Sequence, residues 1–293
     1  MITIQEAAKI FKKNISSVEI GTHNYCNRTC TFCPLSLESV NRRNFKNTIF
    51  MSDEMYENIM KQLASIDFNG RLDFSRYHEP TSHKKFILEK IKIARSYLPK
   101  ASISLNTNSD YMTKEYHQQL LEAGVTNFAF QAYMRNGATA FDENEVFERI
   151  NKICDKLGAP RIKKEEHQNK EWIIYRLPDR FKGKIHARNY WNNGVNRAGT
   201  VLDKDYVRTT PCFSMNKGVF IDYNGSMTAC CDMLTPELHN KWEVGNLEKE
   251  PNIFLNYTSK FYTEFRDRIT KAEWYPNSPC LKCKRDVRGA QAR

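Results

Sequence analysis

Nine cysteines carry most of the chemistry that this 293-residue sequence could perform. All except Cys154 fall into two sets, one near residue 30 and one between residues 212 and 283. Clustered cysteines in a chain without a secretion signal indicate metal or redox chemistry rather than disulfide bonds. The sequence therefore predicts two sulfur-ligated sites, and Cys154 is expected to be a core thiol.

The first set is Cys26, Cys30 and Cys33, directly after a predicted strand. Three thiolates separated by three and two residues can hold one iron–sulfur cube and leave its fourth iron without a protein ligand. An open metal position can bind a small molecule. Zinc is the alternative, but it prefers four ligands and paired Cys-x2-Cys knuckles, so it fits this run poorly.

This motif, with Phe32 just before the last cysteine, resembles the signature of the radical S-adenosylmethionine (SAM) superfamily. The resemblance implies a [4Fe-4S] cluster whose open iron chelates SAM. Reductive cleavage of SAM would then give a 5′-deoxyadenosyl radical that abstracts hydrogen from a substrate. The resemblance also implies that Phe32 packs near adenine and that a flavodoxin or ferredoxin-type protein supplies the electron.

Further SAM contacts are expected where the next three predicted strands end. Tyr77-His78-Glu79-Pro80 resembles the family's Gly-Gly-Glu-Pro stretch, which binds the SAM amino group; both glycines are replaced, so only Glu79 is carried over. Asn106 and Asn108 lie in a stretch that resembles the family segment near the SAM ribose or carboxylate, and Gln131 is expected at adenosine. For these last three, an ordinary polar strand end is the alternative.

The second set consists of four cysteines that could make a closed site for zinc or iron–sulfur: Cys212, Cys230, Cys280 and Cys283. The order of features in this region resembles the twitch domain, the short form of the SPASM extension. The features are a cysteine, a hairpin, the pair Gly245-Asn246, a helix and a final Cys-x2-Cys. That resemblance implies one auxiliary [4Fe-4S] cluster. Cys231 competes with Cys230 as the fourth ligand.

Alternating strand and helix patterns must position these residues. Strands are predicted at 17–22, 71–75, 102–106 and 127–132, and helices at 53–66, 84–97, 113–123 and 143–157. Repeated β-then-α units indicate a parallel sheet with helices outside, and in such folds the chemistry lies at the carboxyl ends of the strands. We predict an α/β fold, a partial (β/α)6 TIM-like barrel, over residues 1–185.

A change of pattern near residue 185, within about ten residues either way, predicts a twitch/SPASM-like domain over residues 186–293. Before it, 171–176 could form another strand; residues 186–211 read as irregular. Asn224-Gly225 predicts a hairpin turn between strands at 218–222 and 226–230, and 256–269 predicts a helix.

Two neighbouring clusters would favour a redox reaction of the substrate, because a substrate radical that is oxidised needs an electron acceptor. This layout resembles the twitch-containing dehydrogenases that oxidise amino-cyclitol alcohols. The resemblance implies oxidation or epimerisation of a sugar, cyclitol or related small molecule. Arg197, between the two sets in sequence, is the candidate catalytic residue that contacts substrate; a surface arginine is the alternative.

Two other functions compete with this one. The first is a radical SAM maturase of ribosomal peptides, which often carries an amino-terminal winged helix; residues 1–16 alone precede the first predicted strand, so none is expected. The second is a zinc or nucleic-acid binding protein without radical chemistry. The formal charge of +11 favours anionic partners, an anionic substrate included, but no aromatic-and-basic module accompanies it, so nucleic acid is not expected.

The sequence lacks a signal peptide and any apolar run of about 20 residues, the length of a membrane span. We therefore expect no membrane partner and a cytoplasmic location.

Overall fold

Nine strands form one sheet in the computed structural model, which describes residues 2–40 and 47–285. They are β1 (Ser17–Ile20), β2 (Arg71–Phe74), β3 (Ser102–Thr107), β4 (Asn127–Gln131), β5 (Trp172–Arg176), β6 (Gly183–Arg188), β7 (Gly218–Ile221), β8 (Ser226–Thr228) and β9 (Gly245–Asn246). Their order across the sheet is β5-β6-β4-β3-β2-β1-β7-β8-β9. The run from β6 to β7 is parallel. The sheet is parallel at its centre and does not close into a full barrel. The predicted α/β partial barrel is therefore confirmed.

Helices cover this sheet: α1 (Ile4–Asn14), α2 (Asp53–Ser65), α3 (Lys84–Tyr97), α4 (Lys114–Ala123), α5 (Glu143–Leu157), α6 (Tyr190–Asn193), α7 (Ser214–Lys217), α8 (Ile253–Tyr257) and α9 (Lys260–Thr270). Local chemistry sets their ends. The Ser52 side chain accepts a hydrogen bond from Met55 N at the start of α2, and Gly124 ends α4 with a φ of +120°, which favours glycine. In the part of the chain that the structure describes, no helix is long and apolar enough to span a membrane.

The core lies between the central strands and these helices. Val18, Leu72, Ile103 and Phe128 stand on neighbouring parallel strands and are fully buried. Strands covered on both faces are expected to be apolar throughout, and burying each such side chain contributes about 1.5–3 kcal/mol. A buried charged residue inside one of these strands is therefore unusual.

The strand predicted at 171–176 is confirmed as β5, which runs antiparallel to β6 at the sheet edge. The expectation about residues 186–211 needs correction. The stretch from 186, predicted to be irregular, begins inside β6, which is the strand that pairs in parallel with β4. Ile185 and Ala187 alternate with polar neighbours, which is a strand pattern. The sequence prediction missed this strand because those neighbours include charged residues. The domain division near residue 185 stays a prediction. β6 continues to Arg188, which lies within the roughly ten residues either way that the prediction allowed.

The ends of the chain also differ from expectation. The helix predicted at 256–269 is two helices, because the chain turns at Thr258 and the Ser259 side chain caps α9. Helix α1 was not predicted, although Thr3 and Glu6 form a capping box at its start. Phe11 of α1 packs against the rings of Phe254 and Tyr257 in α8, so two helices far apart in the sequence pack against each other.

The predicted hairpin is confirmed as β7 and β8, joined at Asn224-Gly225, with Gly225 at a φ of +79°. It does not stand apart from the barrel. Strand β7 pairs in parallel with β1, Val219 opposite Val18, so the carboxyl-terminal segment extends the main sheet next to the strand that leads into the first cysteine set.

Candidate active site

The loop after β1 carries Cys26, Cys30 and Cys33, and neighbouring loops hold it in place. Arg28, 8% exposed, donates from Nε to Asp110 Oδ2 at 2.8 Å and from Nη1 to Met134 O at 2.7 Å. These bonds tie the cysteine loop to the segments after β3 and β4. All three cysteines line one cavity of about 320 Å³ at the carboxyl ends of the strands, where the sequence predicted the chemistry.

Burial dominates the state of these thiols. It raises the pKa of Cys30 to about 12, and it raises the pKa of Cys26 further, with the Glu79 charge adding to the effect. Without metal the thiols therefore hold their protons, and ligation displaces them. Among the described residues no three His, Cys, Asp or Glu side chains are close enough to share a single metal ion. A [4Fe-4S] cube places each thiolate on a different iron, so its ligands stand farther apart.

Glu79 lies at the centre of a hydrogen-bond network behind the cysteines. Its Oε1 accepts from Thr107 Oγ1 at 2.6 Å and from Thr81 N at 3.0 Å, and its Oε2 accepts from Asn108 N at 2.7 Å. Burial raises the pKa of this carboxyl, and the hydrogen bonds oppose that shift. The Glu79 backbone N donates to Tyr25 O at 2.8 Å, so the network fixes the β2 and β3 ends against the cysteine loop.

The two residues that replace the family glycines point away from that network. Tyr77 donates its hydroxyl to Asp232 O at 2.8 Å, on the side of the second cysteine set. His78 lies 3.3 Å from Thr22 Oγ1 and is buried among other rings. These bulky side chains thus join the two halves of the site.

The other predicted SAM residues also line the cavity. Gln131 donates from Nε2 to Asn106 Oδ1 at 2.8 Å, and Asn108 donates from Nδ2 to Asn27 Oδ1 at 2.8 Å. Phe32 stacks face to face on Tyr190, with centroids 3.8 Å apart. The structure therefore brings Phe32 and the polar strand ends together, and their contacts with SAM stay predictions.

Arg197 is not a surface arginine. It lines the cavity and donates from Nη1 to Asp232 Oδ1 at 3.0 Å, while Arg285 binds the same carboxylate. Burial alone would raise the pKa of Asp232, but the Arg285 and Arg197 charges hold it well below its usual range. Two cations thus share one fully buried anion, and within the described residues the Nε of Arg197 is buried without a hydrogen-bond partner.

Several cavity residues were missed by sequence reasoning. Glu19 of β1 lines the cavity, and its Oε1 is buried with no hydrogen-bond partner in the part of the chain that the structure describes; Arg76 Nη1 lies 3.8 Å from it. Burial raises the pKa of Glu19 to about 7, and Arg76 and Asp73 act on it in opposite directions. The signal was present in the sequence, since Glu19 is the charged residue inside the apolar strand SVEI.

Arg188 and His186 of β6 form another unpredicted part of the cavity wall. The Arg188 guanidinium stands 4.6 Å from the Tyr190 ring centre and 5.0 Å from that of Trp172, in the cation–π range. No carboxylate of the described residues forms an ion pair with Arg188, which differs in this from Arg197. Burial lowers the pKa of His186 to about 4, so its ring is neutral near pH 7.

The four cysteines of the second set lie close enough together for their charges to act on one another. Cys212, Cys230, Cys280 and Cys283 are all buried. Burial raises the pKa of Cys230, and the nearby Cys283 and Cys280 charges add to that shift. Cys231 instead lines the cavity; burial raises its pKa to about 11, and Arg285 is the charge that acts on it most. This placement favours Cys230 over Cys231 as the ligand.

Two family profiles match the chain on either side of the predicted domain change. The Radical SAM superfamily matches residues 20–153, and the SPASM iron–sulfur cluster-binding domain matches residues 212–284. The chain therefore belongs to the radical SAM superfamily and carries a SPASM-type domain, which confirms both resemblances. Membership implies SAM, a SAM-binding [4Fe-4S] cluster and an auxiliary [4Fe-4S] cluster as cofactors.

Among named proteins, the chain is similar to the S-adenosyl-L-methionine-dependent 2-deoxy-scyllo-inosamine dehydrogenase of Niallia circulans. The identity is 37% over 116 residues, which span 40% of this chain and 44% of that relative. Two crystal structures share the fold along nearly the whole chain. BtrN in complex with AdoMet and 2-DOIA gives a TM-score of 0.66 at 22% identity, over 92% of this chain and 93% of that one. SeMet BtrN in an OPEN conformation gives 0.61 at 19%, over 95% and 96%.

Proposed function

We propose that this radical SAM enzyme oxidises a hydroxyl-bearing carbon of a sugar, cyclitol or related small molecule to a ketone. One observation carries the proposal: a single cavity is lined both by Cys26, Cys30 and Cys33 and by Arg197, Arg285 and Cys231, the last adjacent in sequence to Cys230 of the second set. A substrate in that cavity would lie between the two cysteine sets. The dehydrogenase similarity supports the reaction type.

The residues present fit the cofactors that the family implies. We assign Cys26, Cys30 and Cys33 to the SAM cluster, and Cys212, Cys230, Cys280 and Cys283 to the auxiliary cluster. When bound, these groups supply a hydrogen-abstracting radical and an electron acceptor. Phe32, Glu79, Asn106, Asn108 and Gln131 would hold and orient SAM.

Two residues of this chain would act on the substrate itself. Arg197 would bind the reacting hydroxyl, since its guanidinium lines the cavity and is fixed by Asp232. Glu19 would accept the hydroxyl proton, because its carboxylate also lines the cavity and burial raises its pKa to about 7, in the range that suits a general base. Together they account for the proton that leaves when an alcohol becomes a ketone.

We further propose that the substrate carries an anionic group near β6. Arg188 lines the cavity, and no carboxylate among the described residues pairs with it, so an anion there would meet a cation that those residues leave uncompensated. The expected result is a lower KM for a phosphorylated cyclitol than for the unphosphorylated one, and loss of that preference in Arg188→Gln. Equal KM values for the two compounds would rule out the proposed anionic group of the substrate.

The external reductant is proposed to be a flavodoxin or ferredoxin-type protein, because the formal charge of +11 favours a negatively charged donor. A cytoplasmic location is proposed because eight of the nine cysteines are clustered as in metal or redox sites.

The decisive test is anaerobic reconstitution followed by reduction with SAM and 2-deoxy-scyllo-inosamine or a related cyclitol. We expect 5′-deoxyadenosine and a ketone in equal amounts. Cys26→Ala should abolish both products, whereas Cys280→Ala/Cys283→Ala should still cleave SAM but form no ketone. A fully reconstituted protein that cleaves no SAM would contradict the proposal, as would ketone formation that survives the double variant.

Epimerisation is the second candidate, and Cys231 favours it. This thiol lines the cavity, and its pKa of about 11 keeps it protonated, so it could return a hydrogen atom to a substrate radical. Reaction in D2O separates the two functions. Epimerisation would place deuterium in the product and fail in Cys231→Ala, whereas oxidation would give a ketone whose yield does not depend on Cys231.

A further inference from the structure

Arg208 ties together the two chain segments that bear most of the second cysteine set. On the side of Cys212, its Nε donates to Thr210 O at 2.7 Å and its Nη2 to Pro211 O at 2.8 Å. On the side of Cys283, its Nη1 donates to Cys283 O at 3.1 Å and also bonds Arg285 O. Its backbone N donates to Leu281 O at 2.7 Å, inside the Cys-x2-Cys knuckle.

The charge of Arg208 is buried and has no carboxylate partner in residues 2–40 and 47–285. The residue is 3% exposed, and its guanidinium lies 5.6 Å from the Trp274 ring centre. Its side-chain partners are backbone carbonyls, and among the described residues no carboxylate forms an ion pair with it. A buried cation is costly unless an opposite charge accompanies it. Arg285, by contrast, shares Asp232.

The auxiliary cluster assigned above would supply that opposite charge. Four thiolates around a [4Fe-4S] core leave the oxidised centre with a net negative charge, and reduction makes it more negative. A fixed positive charge therefore favours the reduced state, and net charge and hydrogen bonding are the factors that set such potentials.

We propose that Arg208 is a positioning residue for the auxiliary cluster, which fixes the segments of Cys212 and Cys283 and raises the reduction potential of the cluster through its charge. The inference rests on the proposed assignment of Cys212, Cys230, Cys280 and Cys283 as ligands. It adds a role for a residue outside the cavity wall.

The test uses a parent chain with Cys26, Cys30 and Cys33 changed to alanine, so that only the auxiliary cluster is observed. Arg208→Gln and Arg208→Lys are made in this background. Iron and sulfide content, the rate of iron loss to a chelator and the midpoint potential from a redox titration followed by electron paramagnetic resonance are measured. Arg266→Gln is the matched control, because Arg266 also stacks on aromatic rings, those of Tyr257 and Tyr262.

In Arg208→Gln we expect a lower midpoint potential and about tenfold faster loss of iron, since outer partners of metal ligands typically change affinity by that factor or more. Arg208→Lys, which keeps the charge, should restore the potential but not the slow loss of iron. The control should match the parent in both.

An unchanged potential in an Arg208→Gln protein that holds its full cluster would overturn the inference. If Arg208→Gln loses the cluster altogether, Arg208→Lys decides: a retained cluster at the parent potential supports the inference, and equally complete loss overturns the role of the charge. A parent chain that binds no iron would instead contradict the proposed auxiliary cluster itself.

Discussion

Single residues in the cavity carry charges that an apolar strand or a loop would not ordinarily bury. Glu19 is the clearest case, since its neighbours Val18 and Ile20 are fully buried core residues. Keeping a carboxyl in such a position costs folding free energy unless it serves a purpose. The cost of burying Glu19 can be measured in the protein without substrate or cofactors. Such a measurement tests the surroundings of the carboxyl independently of its proposed role as a proton acceptor.

Glu19→Gln should change how stability depends on pH in the metal-free protein. The folded pKa of about 7 lies above the ordinary 4.5, so the folded state keeps a proton that the unfolded state releases. Stability is therefore fully present below pH 4.5 and is lost as pH rises to about 7, by about 3 kcal/mol. Urea unfolding at pH 5 and pH 8 should show this loss in the wild type and not in Glu19→Gln.

The exposed Glu248→Gln is the matched control and should follow the wild type at both pH values. A Glu19→Gln protein whose pH dependence equals that of the wild type would mean that Glu19 titrates normally in the fold. Its role as a proton acceptor would then lose its physical basis.

At the scale of elements, the loop after β1 depends on contacts with the loops after β3 and β4. Arg28 and Asp110 form the central ion pair, and Asp110 also binds Asn27 and Arg149. The Arg28 and Arg149 charges keep the pKa of Asp110 below its ordinary value in spite of burial. The three cysteines therefore take their relative positions from neighbouring strand ends as well as from their own spacing.

Asp110→Ala should weaken the SAM cluster and leave the auxiliary cluster in place. Arg28 would stay buried without its carboxylate, a change that typically costs 3–5 kcal/mol, and the cysteine loop would lose its attachment. Iron analysis after reconstitution should show about half the wild-type iron per chain. Asp155→Ala, which breaks an exposed pair with Arg161, serves as the control and should keep the full iron content.

If Asp110→Ala retained all of its iron and cleaved SAM normally, the contacts of Arg28 would be shown to be unnecessary for cluster binding.

At the scale of the whole molecule, the two family regions share one sheet. β7 of the SPASM-type region pairs with β1, and Arg76 after β2 binds Asp222 after β7 at 2.8 Å with both side chains nearly inaccessible to solvent. The same guanidinium donates to Met233 O at 2.8 Å. The cavity between the two cysteine sets is thus built on a continuous scaffold.

Asp222→Ala should lower the free energy of unfolding by about 3–5 kcal/mol, because it removes the closest carboxylate partner of the buried Arg76 charge. Because the pair joins two parts of one sheet, unfolding should remain a single transition when followed by circular dichroism and by tryptophan fluorescence. Asp67→Asn, which breaks the exposed pair with Lys100, should cost less than about 1 kcal/mol. Two separate transitions in Asp222→Ala would show that the regions fold independently.

The sequence by itself determined the features that depend on neighbours along the chain. Cysteine spacing predicted Cys26, Cys30 and Cys33 as one ligand set, and strand and helix periodicity located β1 to β4 with the helices between them. Caps such as Ser52 and the Asn224-Gly225 turn act within four residues, so they can be read directly. β6 was missed because its alternate residues are polar on the cavity side.

Only the tertiary structure decided which distant residues meet. Glu19, Arg188 and Arg197 reach one cavity, Arg197 and Arg285 share Asp232, and Arg208 bridges the segments of Cys212 and Cys283. The same is true of Cys230 and Cys231, adjacent in sequence, which face the second cysteine set and the cavity respectively. The physical reason is that these contacts follow from strand order, register and packing between segments far apart in the chain, which local spacing does not encode.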